Sequence, residues 1–317
     1  MKKLTTLLLA IAIVLLAWGF FTPTYAQNTA EGEKPTFYRL TPGVYVNGWP
    51  RFTLSYPKDW EVQRPVVYPY NEVFRVGAPR GAIDPSPILG ISVYPNPLPL
   101  EKLTSVIVPI LSQLGKDVKV VSDKPVQLKD GTPAQEAEFE WVISELDGVN
   151  VVKLNSLYLA TTKDDVWISV GIIHDRGKIG EDLKSTLYSI KLQPGKEDLV
   201  KVPPDVEQFM KEFGDDVASH DVKKVMTHYS DRYLNYGRDK QGEEGVWWQI
   251  FSVIAPNTTF YEASVTGFEL QGDKAYATGF FTDNDGKHPM GSSGVMIKED
   301  GQWKWYGNQI SYTSPFK

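Results

Sequence analysis

Four histidines, His174, His220, His228 and His288, are the side chains that can exchange a proton near neutral pH. His228 and His288, together with Asp231, are the candidates for a general acid or base. Each would need a tyrosine hydroxyl such as Tyr233 or Tyr236 within hydrogen-bond reach. The alternatives are structural. His228 shares a helical segment with Val225 and Met226 and could face solvent, and Asp231 could simply end a helix or start a turn. No histidine pair has the H-x-H or H-E-x-x-H spacing of a metal site, and His220 and His228 fall on what read as two different helices. No metal and no cofactor are expected. Asp283-Asn284-Asp285-Gly286 begins like a calcium loop, but Lys287 stands where an acceptor is needed and no Glu follows at position twelve. Its composition reads as a β-turn. The sequence has no nucleophile elbow, phosphate loop or dinucleotide glycine motif.

Aromatic side chains are the densest chemical feature. Tyr229, Tyr233, Tyr236, Trp247, Trp248, Phe251, Phe260 and Tyr261 fall close together, and Phe280, Phe281, Trp303 and Trp305 follow. Tyr229, Tyr233, Tyr236, Trp247, Phe251 and Trp305 are the candidates for lining a pocket, because aromatic walls with a few hydroxyls suit a flat apolar ligand. Apolar residues at helical spacing also describe plain core packing. Both readings stand at this point.

The elements that would position these groups follow from periodicity. Val206, Phe209, Met210, Phe213 and Val217 recur at helical spacing, and Asp221 is a plausible N-cap for a second helix bearing Val222, Val225, Met226 and Tyr229. A third helix is expected over 243–254. The pattern then alternates, giving strands over about 260–271, 274–282, 291–298 and 303–311, with turns at Gly272-Asp273, Asn284-Asp285-Gly286 and Asp300-Gly301. Earlier in the chain, Phe52, Leu54 and Tyr56 alternate up to Pro57. Six prolines lie between 79 and 99, so the strand-like run Ile88 to Val93 reads as an edge strand. Leu103, Ile107, Ile110 and Leu114 mark a helix that Pro109 should kink or split. Strands are expected at 118–121, 134–142, 151–161 and 166–171, with turns at Asp130-Gly131 and Asp147-Gly148. Ile179, Leu183, Leu187 and Ile190 make a closing helical stripe, with Glu181 and Asp182 suiting its dipole.

At 317 residues the chain has length for about two domains. It has no cysteine, which excludes disulfides, thiol nucleophiles and Cys-ligated metals. With 33 basic and 39 acidic residues the net charge is −6. No basic stripe suggests nucleic acid. Met1-Lys2-Lys3, the apolar run Leu7 to Phe21 and Thr24-Tyr25-Ala26 form the three regions of a secretory signal peptide, with cleavage after Ala26. The apolar run is shorter than the ~20 residues a spanning helix needs. The expectation is therefore a periplasmic or secreted protein with no stable membrane span after processing. Residues 27–35 read as a flexible leader and 193–204, with Pro194, Gly195, Pro203 and Pro204, as a linker between domains at 36–192 and 205–317. Asn257-Thr258-Thr259 is a glycosylation sequon, meaningful only in a eukaryotic secretory pathway.

Two family resemblances extend this reading. Arg51 to Trp60 (Arg-Phe-Thr-Leu-Ser-Tyr-Pro-Lys-Asp-Trp), the Asp130-Gly131-Thr132-Pro133-Ala134 turn and the closing Leu183 to Leu192 segment resemble the PsbP/Mog1-like family of α/β/α sandwiches. Val217 to Tyr233, with its His220-Asp221 break and Tyr229-Ser230-Asp231 end, and Gly301-Gln302-Trp303-Lys304-Trp305 are similar to the NTF2-like or SnoaL-like family. The implied architecture is α+β in two domains, a sandwich followed by a cone in which a curved antiparallel sheet wraps around helices and leaves a pocket. These are fold motifs and do not fix an activity. The leading expectation is an exported, non-catalytic binding or accessory protein, its partner a small apolar ligand or a periplasmic protein. The alternative is a small isomerase, dehydratase or hydrolase using a His or Asp with Tyr. A homodimer through the NTF2-like half is a further expectation.

Overall fold

Alternating apolar residues build the N-terminal half into strands. In this computed structural model, residues 42–63, 65, 71–78, 87–95, 97–144, 151–174, 179–254, 260–284, 286–290 and 294–310 are described. The signal segment, the leader, the Asp147-Gly148 turn and the sequon lie outside them. β1 (Val44–Asn47) and β2 (Phe52–Ser55) form a hairpin. β3 (Glu61–Gln63), β4 (Glu72–Gly77) and β5 (Ile88–Pro95) follow, then helix α1 (Leu103–Leu114). Next come β6 (Lys116–Gln127), β7 (Pro133–Ser144), β8 (Val151–Lys163), β9 (Val166–His174), α2 (Glu181–Leu187) and β10 (Lys191–Leu192). Strands β3 to β9 make one antiparallel sheet in the order β3-β4-β5-β9-β8-β7-β6. β1, β2 and β10 make a small second sheet.

The large sheet is covered on both faces. Leu103, Ile107 and Leu111 of α1 pack on Ala137, Phe139, Trp141 and Trp167. On the other face, Phe74, Val76, Leu89, Ile91 and Ile168 pack against Phe52 and Leu54 of the small sheet and Leu187 of α2. β9 is buried along most of its length, so its apolar run is nearly continuous, as a strand covered on both faces requires.

Two expectations are corrected here. β5 is not an edge strand: it lies between β4 and β9. The prolines bound it rather than interrupt it, and Pro95 closes it opposite Val166, so its interior keeps every backbone donor. Helix α1 is not split. Pro109 sits inside one unbroken helix on its exposed side, where the Ser105 carbonyl it leaves unpaired can meet water. The buried position in its last turns is Leu111, while Ile110 and Leu114 are half-buried.

The C-terminal half places helices on a second antiparallel sheet. α3 (Pro204–Ala218) starts with Pro204 in its first turn, the position where a missing N–H costs least. α4 (Val222–Thr227) is capped by Asp221, whose side chain accepts from the backbone N–H groups of Lys223 and Lys224. β11 (Leu234–Asn235) and β12 (Arg238–Asp239) form a small hairpin. α5 (Lys240–Gln249) begins three residues before the expected start, because Asp239 Oδ1 accepts from Gly242 N at 2.8 Å. It passes into a π-helical turn at 250–254. β13 (Phe260–Gln271), β14 (Lys274–Asp283), β15 (Lys287–Pro289), β16 (Val295–Glu299) and β17 (Gln302–Trp305) complete the fold. The sheet order is β13-β14-β16-β17, with β15 pairing β14. β15, three residues long, is too short to show an alternating pattern in the sequence. The last strand ends at Trp305, and the chain beyond it pairs irregularly with Leu234 and Gly237.

The halves meet along a packed seam. The β1–β2 turn is braced by Asn47, whose Nδ2 donates to the carbonyls of Trp49 and Pro50, each at 2.8 Å, while its Oδ1 accepts from the Tyr45 hydroxyl. That turn delivers Trp49 onto Phe280 of β14, with ring centroids 4.4 Å apart. A Cβ at Gly48 would lie 2.5 Å from Thr278 Cγ2, so glycine is what permits this approach. The segment between the halves is tied down. Gln193 N donates to Arg51 O, Arg51 N to Glu197 Oε1, Lys163 Nζ to Gly195 O and Val200 N to Val265 O.

Candidate functional site

Helices α3, α4 and α5 and strand β17 bring most of the aromatic candidates together. Tyr229, Tyr233, Trp247, Phe251 and Trp305 belong to one buried cluster with Phe209, Phe213 and Trp303. Phe213 is its hub, touching the rings of His228, Tyr229, Trp247, Phe281 and Trp305 at centroid distances from 5.4 to 6.3 Å. Most of these contacts are edge-on, the geometry aromatic quadrupoles favour.

The hydroxyls in this cluster are already engaged. Tyr229 Oη accepts from Trp247 Nε1 at 2.9 Å. Burial pushes the phenols of Tyr229 and Tyr233 well above their ordinary values, and the Glu243 carboxylate raises both further. Tyr233 is also hydrogen-bonded to Glu243. Glu243 in turn holds Arg238 Nε at 2.7 Å. Proton donation from such phenols at neutral pH is unfavourable.

The candidate acids and bases separate. His228 caps the C-terminus of α4 and is buried, with Nε2 2.8 Å from Asp216 Oδ2 on α3. Its ring meets the edges of Phe209 and Phe213, and its carbonyl accepts from Trp305 N. It therefore faces the α3 wall. Asp231 is 92% exposed and ion-paired with Lys240, whose hydrogen bond holds the Asp231 carboxyl below its usual range. His288 lies on β15, with Nε2 3.1 Å from Asp283 Oδ1. Tyr236 is buried at a positive φ of 48°. It lies toward the seam, where Tyr45 is raised first by burial and then by the phenols of Tyr236 and Tyr276. No group of three or more His, Asp or Glu side chains suited to a metal occurs among the described residues. His220, in the turn between α3 and α4, stacks on Phe251 at 4.9 Å.

Two polar groups were not anticipated. Glu136 on β7 is buried on the face of the sheet that α2 covers. It accepts from the Tyr188 hydroxyl at 2.6 Å and pairs with Lys124 at 3.1 Å and Lys184 at 3.2 Å. Desolvation pushes its carboxyl up, but these partners outweigh it and hold the pKa below the ordinary value. The alternation Glu136, Glu138, Glu140 reads as a solvent face in sequence, and only α2 closing over it reveals the pairing. The second group is Lys163 with Asp164 and Glu197, at 2.9 and 3.9 Å. Lys163 and Glu197 side chains are only 6% and 5% exposed. Beside them lies a depression of about 370 Å³ lined by Asp130, Thr132, Thr162 and the start of the connecting segment.

No helix among the described residues is long and apolar enough to cross a membrane. No protein-family model and no curated protein matches the chain. Among solved structures, it is similar to the cyanobacterial PsbP protein (CyanoP) of Synechocystis sp. PCC 6803, at 14% identity and a TM-score of 0.38, over 51% of this chain and 99% of that one. It is similar to the Ran-binding protein Mog1p of Saccharomyces cerevisiae at 8% identity and a TM-score of 0.33, over 44% of this chain and 89% of that one. A protein from Bacteroides thetaiotaomicron VPI-5482 aligns over 86% of this chain and 91% of its own, at 14% identity and a TM-score of 0.32.

Proposed function

We propose that this chain is an exported, non-catalytic accessory protein that binds its partner through its surface. In this reading residues 36–192 form a PsbP/Mog1-like unit and residues 205–317 an NTF2-like unit whose aromatic interior is a core. The observation that carries it is the commitment of every candidate acid or base to a structural partner: His228 to Asp216, Asp231 to Lys240 and His288 to Asp283. None of these pairs includes a tyrosine hydroxyl, which acid–base chemistry in the aromatic cluster would require. The seam supports it as well, because a tied linker and interlocked turn suit a platform that presents fixed surfaces.

The competing enzyme reading has one favourable feature, histidines oriented by carboxylates, of which His228 with Asp216 adjoins the aromatic cluster. The test has two parts. The full chain, expressed in a bacterial host, is expected to appear outside the cytoplasm with Gln27 as its first residue; retention of Met1 in the cytoplasm contradicts export. The exported protein is then assayed with simple esters, enones and hydroxy acids. No turnover above the Asp216→Asn, His228→Gln double variant is expected. Turnover that this variant abolishes would replace the accessory reading with the enzyme one.

A further inference from the structure

Strand β3 carries two acceptors that nothing in the described structure satisfies. Glu61 Oε2 and Gln63 Oε1 are both shut off from solvent and have no hydrogen-bond partner among the described residues. Gln63 as a whole is 5% exposed. Buried polar groups are ordinarily paired, and a desolvated carboxylate without a counter-charge is especially costly.

The two groups converge. Glu61 and Gln63 are two residues apart on a strand, so their side chains leave from the same face. Glu61 lies directly across from Gly77 on β4, and Gln63 across from Arg75. The Gln63 carboxamide folds over Gly77, into the space a Cβ there would occupy. It therefore leans along β4 toward the position opposite Glu61, above the one residue with no side chain to fill the gap. Among the described residues, Arg75 lies across from Gln63, and its Nε is bound by both oxygens of Glu72, at 3.1 and 2.9 Å. Burial also pushes the Glu61 carboxyl above its ordinary value, as expected for an acid that lacks its cation. β3 ends the sheet order, so the pair lies on an edge strand of the sheet.

We infer that Glu61 and Gln63, over Gly77, form a binding site for an organic cation, a guanidinium or primary ammonium, with Glu61 as counter-ion and Gln63 Oε1 as a second acceptor. The cation has two sources: a free small molecule or an Arg or Lys side chain of a partner. This site stands apart from the aromatic cluster, and its test does not depend on whether the chain is exported or catalytic.

The test uses the isotope-labelled full chain, read by the backbone amide signals of β3. Methylguanidinium and ethylammonium chloride represent free cations, and the blocked peptide Gly-Arg-Gly a protein side chain. Saturable shifts of the β3 amides are expected with at least one of these, and none with neutral methylurea. Glu61→Gln, which keeps the shape and removes the charge, should weaken binding at least tenfold, and Gln63→Met should weaken it less. The tighter of the free cation and the peptide identifies the source. Shifts that never saturate and match those of sodium chloride, or affinity unchanged in a folded Glu61→Gln chain, would overturn the assignment.

Discussion

Asp216 and His228 join two successive helices through a 2.8 Å contact between carboxylate and imidazole, made across the turn that contains His220. The contact sets the side chain most suited to catalysis against the α3 wall, between Phe209 and Phe213. The same histidine's carbonyl receives Trp305 N, so helix pairing and the last strand share one anchor.

Asp216→Asn keeps the shape of that anchor and removes its charge. Hydrogen bonds to charged groups contribute roughly 1.5–3 kcal/mol, so a loss of about that order is expected. The urea midpoint should fall with an unchanged slope. An unchanged midpoint would show that the pair does not fasten α3 to α4.

The link between the halves should fail at Lys163. Lys163→Met would take the cation from both Asp164 and Glu197, and breaking a buried pair this way costs about 3–5 kcal/mol. Limited proteolysis should then cut within 193–204 faster than in the wild type. Equal resistance in both proteins would mean that the backbone bonds of Gln193 and Val200 suffice alone.

The seam should be sensitive to a single methyl group. Gly48→Ala puts a Cβ 2.5 Å from Thr278 Cγ2, forcing the β1–β2 turn away from β14. Thermal unfolding should shift to lower temperature and separate into two steps. Adding Thr278→Ser, which removes that methyl, should recover part of the loss, a coupling that independent sites would not show.

The interior of the halves was legible in sequence; their connections were not. Alternation located β7, β8 and β9, helical spacing located α3, and Asp221 marked the start of α4, because each signal lies within a dozen residues. The groups that decide the site are long-range. Asp216 gives no sign that it faces His228, Glu136 looks solvent-exposed until Tyr188 and Lys184 arrive, and nothing at Gly48 points to Thr278. The prolines around β5 misled because position in a sheet depends on which partners pair, and a strand's own composition constrains only its interior. Five of the six aromatic residues expected to line a pocket share one buried cluster with Phe209, Phe213 and Trp303, and Tyr236 lies apart, toward Tyr45.

Glu136 makes stability depend on acidity in a defined direction. Its folded pKa is depressed, so its contribution is fully present above the ordinary carboxylate range and is lost as pH falls through the lowered folded value. The stability difference between wild type and Glu136→Gln should be flat near neutrality and shrink on acidification. Urea unfolding at a series of pH values reads it; a difference that grows as pH falls would reverse the assignment.

In the proposed reading the C-terminal aromatic cluster is a packed core and the chain binds by its surface. The most direct measurement is thermal unfolding of the full chain with indole titrated as a flat apolar probe. A ligand that enters the folded state raises the melting temperature with concentration. The packed-core account predicts no concentration-dependent rise in the wild type, and a lower melting temperature for Trp247→Phe, which removes the donor to Tyr229. A saturable rise that Trp305→Ala or Phe251→Ala abolishes would contradict it and establish a ligand pocket in its place.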